Sequence, residues 1–120
     1  MKNKIIAFDL DDTLCTRPIN LEHLGPDKYL HCQPIPDMID LCNSLYDKGY
    51  TIYIYTARGM TQYKGDLIKI HHHIYQLTLD SLNKWGVKHH GLFLGKIVYD
   101  YFIDDKAMGL KEGVKILKDL

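Results

Sequence analysis

The period of apolar and polar positions changes several times along the chain, and each change marks an element. Residues 5–8, Ile-Ile-Ala-Phe, are apolar without alternation, the pattern of a strand covered on both faces in a parallel sheet. From Met38 the apolar positions repeat at three and four (Met38, Leu41, Cys42, Leu45), which predicts an amphipathic helix. Pro36 suits its first position, Asp37 its positive end, and Gly49 its stop. Residues 50–55, rich in Tyr, Ile and Thr, predict a second strand. A long helical pattern over residues 61–85 puts Leu67, Ile70, Ile74, Leu77, Leu82 and Trp85 near one face, with Gly65 interrupting its start and Gly86 ending it. Residues 91–94 predict a short third strand and residues 99–103 a fourth. Residues 109–120 then suit a last amphipathic helix, weakened by Gly113. Residues 15–36 have no clear period and contain Pro18, Gly25, Pro26, Pro34 and Pro36, so they read as a flap at the carboxyl end of the first strand.

Strand, helix and strand in this order make a right-handed βαβ unit, and the whole pattern predicts an α/β fold. The expected form is a Rossmann-like three-layer sandwich: a central, mainly parallel sheet, the first strand in the middle, helices on both faces. A chain of 120 residues suits one domain, residues 1–120, and the spacing between elements leaves no room for a separate cap domain.

Composition alters this picture little. Lys plus Arg balances Asp plus Glu at 15 each, so bulk charge gives no signal for a nucleic-acid or membrane partner. No signal peptide or membrane-spanning run is present in the pattern, and a cytoplasmic location is expected. Cys15, Cys32 and Cys42 are odd in number and form no CxxC pair, which favours reduced thiols over a disulfide framework. His71, His72 and His73 point about 100° apart on a helix, so they cannot converge on one metal. Arg17, Lys28 and His31 are the flap residues able to reach an anionic ligand.

Chemistry gathers at the carboxyl ends of the predicted strands. Asp9, Asp11 and Asp12 crowd the turn after the first, Thr56 and Arg58 follow the second, Lys96 the third, and Asp104 and Asp105 the fourth. In a parallel sheet these ends form one rim, where ligands bind. Clustered carboxylates repel unless a cation holds them, and Asp9 with Asp105 across neighbouring strands would suit a hard, oxygen-preferring ion, Mg2+ above all. The set fits phosphoryl transfer. Asp9 is the expected nucleophile and Asp11 the expected proton carrier, with Thr56 and Lys96 holding phosphoryl oxygens. Arg58 is a further candidate for contacting substrate.

The segments FDLDDTL, IYIYTAR, LGK and YFIDDKA resemble, in order, the four motifs of the haloacid dehalogenase-like (HAD) phosphatase superfamily. Matched residue by residue, the resemblance implies Asp9 as nucleophile and metal ligand, Asp11 as general acid/base and metal ligand through its backbone carbonyl, and Thr56 and Lys96 as phosphate binders. It implies Asp105 as a direct metal ligand and Asp104 as a water-mediated one. TARGM, KWGV and DYFIDDKA also resemble small HAD proteins of capsule or surface-polysaccharide biosynthesis; those commonly carry Pro where this chain has Ile97, and the superfamily often carries Gly at the Asp12 position. The resemblance implies a Mg2+-dependent phosphatase acting on a sugar phosphate or other phosphomonoester. An uncapped site suits an extended substrate, or a homo-oligomer in which a neighbour covers it. A phosphotransferase using the same Asp9 intermediate, a receiver-like module and a non-catalytic phosphate-binding protein are the alternatives; Thr56 at the middle position and an acidic pair at the end favour the hydrolase over the receiver.

Overall fold

The computed structural model describes residues 4–120. Three parallel strands form its sheet: β1 (Ile5–Phe8), β2 (Thr51–Tyr55) and β3 (Gly91–Phe93), in the spatial order β1-β2-β3. Ile6 lies opposite Ile52, and Ile54 opposite Leu92. Among the described residues the first strand is therefore an edge, not the expected middle strand.

Helix α1 (Pro36–Asp47) crosses from β1 to β2. A second helical stretch crosses from β2 to β3: α2 (Leu67–Ile70), a wide π turn (His71–Tyr75) and α3 (Gln76–Lys84) follow one another without leaving helical backbone angles. Two right-handed crossovers stepping the same way along a sheet put both helices on the same face. Burial agrees. Phe8, Ile52, Ile54 and Leu92 are buried, whereas Ile5, Tyr55 and Phe93 on the other face are 59%, 42% and 47% exposed. The expected second layer of helices is absent among the described residues, and residues 5–8 are covered on one face only.

Ile70, Ile74, Thr78 and Leu82, spaced strictly by four, are all fully buried along the second crossover. On a regular helix positions four apart drift by about 40° per step. The π turn holds more residues per turn and takes up part of that drift, keeping the four in one stripe.

Residues 15–36 are more ordered than a bare flap. A 3-10 segment (Glu22–His31), kinked at Gly25, seats Tyr29 and Cys32 in the core. The fourth strand does not form. Residues 99–103 are exposed and carry no ladder hydrogen bonds, with Tyr101 at 90% and Ile103 at 96% exposure. The cause is the connection. β3 ends at Phe93 with five residues between it and Tyr99, and a parallel strand needs a crossover of a dozen or more. The last element is α4 (Leu110–Leu117), which rests beside Met38, Leu41 and Ser44 of α1 with Val114 and Leu117 half-buried and no residue fully buried. No helix among the described residues is long and apolar enough to cross a membrane.

Candidate active site

An open cleft lies at the carboxyl ends of the three strands, with Asp9, Asp11, Thr56, Lys96, Arg17 and Lys28 in its wall. The turn after β1 is tight because the Leu10 carbonyl accepts hydrogen bonds from the backbone of Thr13, Leu14 and Cys15. Asp12 sits there at φ 67°, a left-handed conformation that Asp tolerates better than most residues. Its carboxylate faces outward to Arg17. Asp12 thus shapes the turn at the rim of the cleft that Asp9 and Asp11 line.

Lys96 reaches the cleft from the loop after β3. Gly95 holds φ 91°, and a side chain there would press on Leu67 at 3.0 Å, so the bend needs glycine. The Lys96 N–H then donates to the Thr56 carbonyl at 3.2 Å, tying the two rims together. Its Nζ lies 3.4 Å from the Asp9 carboxylate, which is 40% exposed. Burial pushes the Asp9 carboxyl above the usual range; the Lys96 charge and a backbone N–H pull it part of the way back. Thr56 is buried, and its hydroxyl accepts the Arg58 N–H at 3.1 Å.

Arg58 does not have the exposed position expected of a substrate contact. Its side chain is completely buried, and Nε and Nη2 clasp Asp11 at 3.0 and 2.8 Å. Nη1 donates to the Thr78 hydroxyl at 3.2 Å, and Tyr29 lies under the guanidinium at 4.5 Å. The Tyr29 hydroxyl in turn accepts the Gly59 N–H at 3.0 Å. Arg58 is a positioning residue for Asp11. Sequence spacing offers no clue to this pairing except a cation two residues beyond Thr56 on the same rim.

Cys15 and Cys32 converge on the same carboxylate, with their sulfurs 3.4 and 3.7 Å from Asp11 Oδ1. These three groups approach one another closely enough to hold a metal. The Arg58 Nη2 already stands among them, 3.6 and 3.5 Å from the two sulfurs, so the cation at this spot is the guanidinium. The Cys15 thiol is pushed up by its hydrogen bond with Cys32 and by burial, while Cys32 is drawn down by the same contact and by Arg58. All three cysteines are free and buried.

Asp104 and Asp105 are not brought to this cleft. Asp104 instead accepts the backbone N–H groups of Lys106 and Ala107, an exposed turn that holds its carboxyl below the usual range. The metal set expected from Asp9, Asp11, Asp104 and Asp105 is therefore split. The histidines also stay apart from it: His71, His72 and His73 are exposed, and His90 accepts the Ile52 N–H at 3.0 Å.

No family model matches the sequence, and no curated protein matches it. The chain is similar to a structural target from Vibrio cholerae solved by crystallography, with a TM-score of 0.74 and 27% sequence identity over 97% of this chain and 98% of that one. The class defined by this likeness and by the sheet is an α/β protein with a parallel core.

Proposed function

We propose that this protein is a HAD-type phosphatase that hydrolyses a phosphate monoester through an aspartyl-phosphate on Asp9. The observation that carries the reading is the convergence of Asp9, Asp11, Thr56 and Lys96, from three separate strand ends, on one open cleft. Asp9 has an exposed carboxylate beside a lysine, the setting for a nucleophile that must meet an anion. One Asp9 oxygen forms a bond to phosphorus as the bond to the leaving alkoxide breaks. Asp11 gives that alkoxide a proton, then takes one from the water that cleaves the acyl phosphate. Lys96 neutralises charge on the phosphoryl oxygens and the Thr56 rim orients them. Arg58 fixes the Asp11 carboxylate while leaving Oδ2 with fewer donors than Oδ1.

Mg2+ belongs to this reading as the expected cofactor, but one chain alone does not fit it. Mg2+ needs near-octahedral oxygen coordination. Here Asp9 leans on Lys96 and the second acidic pair is elsewhere, which leaves the Asp11 backbone carbonyl as the one expected ligand not otherwise drawn off. A three-layer form of the fold, a cytoplasmic location and a sugar phosphate of surface-polysaccharide synthesis as substrate belong to the same proposal, resting on the motif resemblance.

A phosphate-release screen with Mg2+ across sugar phosphates, nucleotides and other phosphomonoesters tests it. Turnover should be lost with EDTA and with Asp9→Asn. Unchanged activity in Asp9→Asn would remove the nucleophile assignment. The openness of the cleft also admits an alcohol in place of water, and transfer of labelled phosphate to an added sugar would identify a phosphotransferase.

A further inference from the structure

We propose that two copies of the chain exchange their carboxyl-terminal segments, so that residues 99–103 of each copy pair in parallel with β1 of the other and deliver Asp104 and Asp105 to the other's cleft.

Four observations converge on this. First, β1 pairs with β2 on one side, and among the described residues no strand pairs with its other edge. Parallel sheets are rarely left with such an edge, or with a bare apolar face like that of Ile5, Tyr55 and Phe93. Second, the chain carries an exposed segment suited to fill the edge: Tyr99, Tyr101, Phe102 and Ile103 are 41%, 90%, 52% and 96% exposed. Third, this segment cannot reach its own β1 in parallel. Lys96 is held at the carboxyl rim beside Asp9, whereas a parallel strand with Asp104 and Asp105 at that rim must begin at the opposite end of the sheet. Five residues of strand span about 17 Å, and the three steps from Lys96 to Tyr99 cover at most about 11 Å. A second copy removes that limit. Fourth, the cleft lacks a second acidic pair, and this same segment ends in one.

The exchange is reciprocal, so the two copies relate by a two-fold axis and the interface closes. Helix α4 travels with the strand and takes on the partner's α1 the place it holds here on its own, where the Lys48 ammonium donates to the Leu120 carbonyl at 2.7 Å. No residue of α4 is fully buried on its own chain, and the half-buried Val114 and Leu117 would meet the same surface on the partner, so little packing is lost in the transfer. β1 then becomes an interior strand. Placing the partner's Asp105 beside Asp9 puts the partner's Ile103 beside Ala7. The pairing of strands stands independently of the phosphatase proposal, whereas the role of the partner's Asp105 rests on it.

Sedimentation of the full chain at tens of micromolar should give twice the chain mass of 14.0 kDa. The double variant Tyr101→Pro with Phe102→Pro removes a ladder N–H in either hydrogen-bond phase while touching nothing buried. It should sediment as a monomer with unchanged helical circular dichroism. Tagged Ala7→Cys chains refolded with untagged Ile103→Cys chains should give a disulfide-linked species containing one of each. A monomeric parent chain, a dimer that survives the two prolines, or mixed chains that do not link would each overturn the exchange. Refolding Asp9→Asn with Asp105→Asn in equal amounts then leaves half the dimers mixed, each with one complete site. About a quarter of the parent activity should return. Linked chains with no returned activity would overturn the role given to the partner's Asp105 and leave the exchange standing; a parent chain that releases no phosphate from any ester would overturn the phosphatase reading.

Discussion

Two stretches of this chain are built alike, an apolar run that closes on aspartates: residues 5–8 before Asp9 and Asp11, and residues 101–103 before Asp104 and Asp105. The first is fastened. Its carboxylates meet Lys96 and Arg58, and its strand is hydrogen-bonded to β2. The second has no ladder partner, and its acids face solvent. Composition does not separate the two. What separates them is the length of chain on either side. Twenty-two residues after Thr13 seat the flap, and α1 then provides a full crossover to β2, whereas five residues between Phe93 and Tyr99 provide none. A strand-like run states what a segment can pair with, and its connections decide whether that partner lies in the same chain.

Charge changes at the fastened and free ends should test this contrast. The largest effect belongs to Arg58→Met, which strands Asp11 beside two thiols in a partly buried pocket. It should cost about 3 kcal/mol or more in urea unfolding, because the remaining charge loses the guanidinium that pairs with it. Arg58→Lys should recover little, since an ammonium cannot make the paired contact. Asp11→Asn leaves the buried guanidinium facing a neutral amide and should cost about 1.5–3 kcal/mol. The same change at Asp104 should leave the unfolding midpoint of a monomeric variant where it was. Equal losses at Asp11 and Asp104 would erase the distinction between the two ends.

Smaller effects concern pH. Ionised Asp9 is the attacking form, so activity should fall on acidification through its raised pKa, above the usual carboxylate range. Because Lys96 draws that pKa down, Lys96→Met should move the acid limb of the rate profile to still higher pH. An unmoved limb would dissociate the limb from Asp9. The smallest effect is on stability. A carboxyl whose folded pKa lies above its unfolded value weakens the fold once pH rises through that interval, and the penalty is absent below it. Asp9→Asn should therefore raise the thermal midpoint slightly at pH 8 relative to the parent chain, and the gain should vanish near pH 3.

Much of the amino-terminal three-quarters was legible in the residues. Pro36, Asp37 and the three-and-four repeat place α1 within a residue of its observed end, because a helix writes its period locally. The Thr56 and Lys96 positions follow from strand ends, which turn residues mark. The Arg58 pairing was not legible, since its partner lies 47 residues away and meets it only after the sheet has formed. Nor was the edge position of β1. An unbroken apolar run reads the same whether its second neighbour belongs to this chain or to another. The expected fourth strand does not form despite its strand-like residues, because it fails on connection length, a property of the intervening residues that no window over Tyr99–Ile103 contains.

The histidine run at residues 71–73 ends with a significance unrelated to imidazole. These residues lie in the wide turn that separates Ile70 from Thr78, and Thr78 is the hydroxyl that receives Arg58 Nη1. The turn is already widened, so one more residue inserted there would turn everything downstream by about 100° about the helix axis and carry that hydroxyl away from the guanidinium. The helix therefore works as a spacer whose phase is counted in whole residues. His71, His72 and His73 can be exchanged in kind far more freely than in number, and the aim of Arg58 at Asp11 depends on that count.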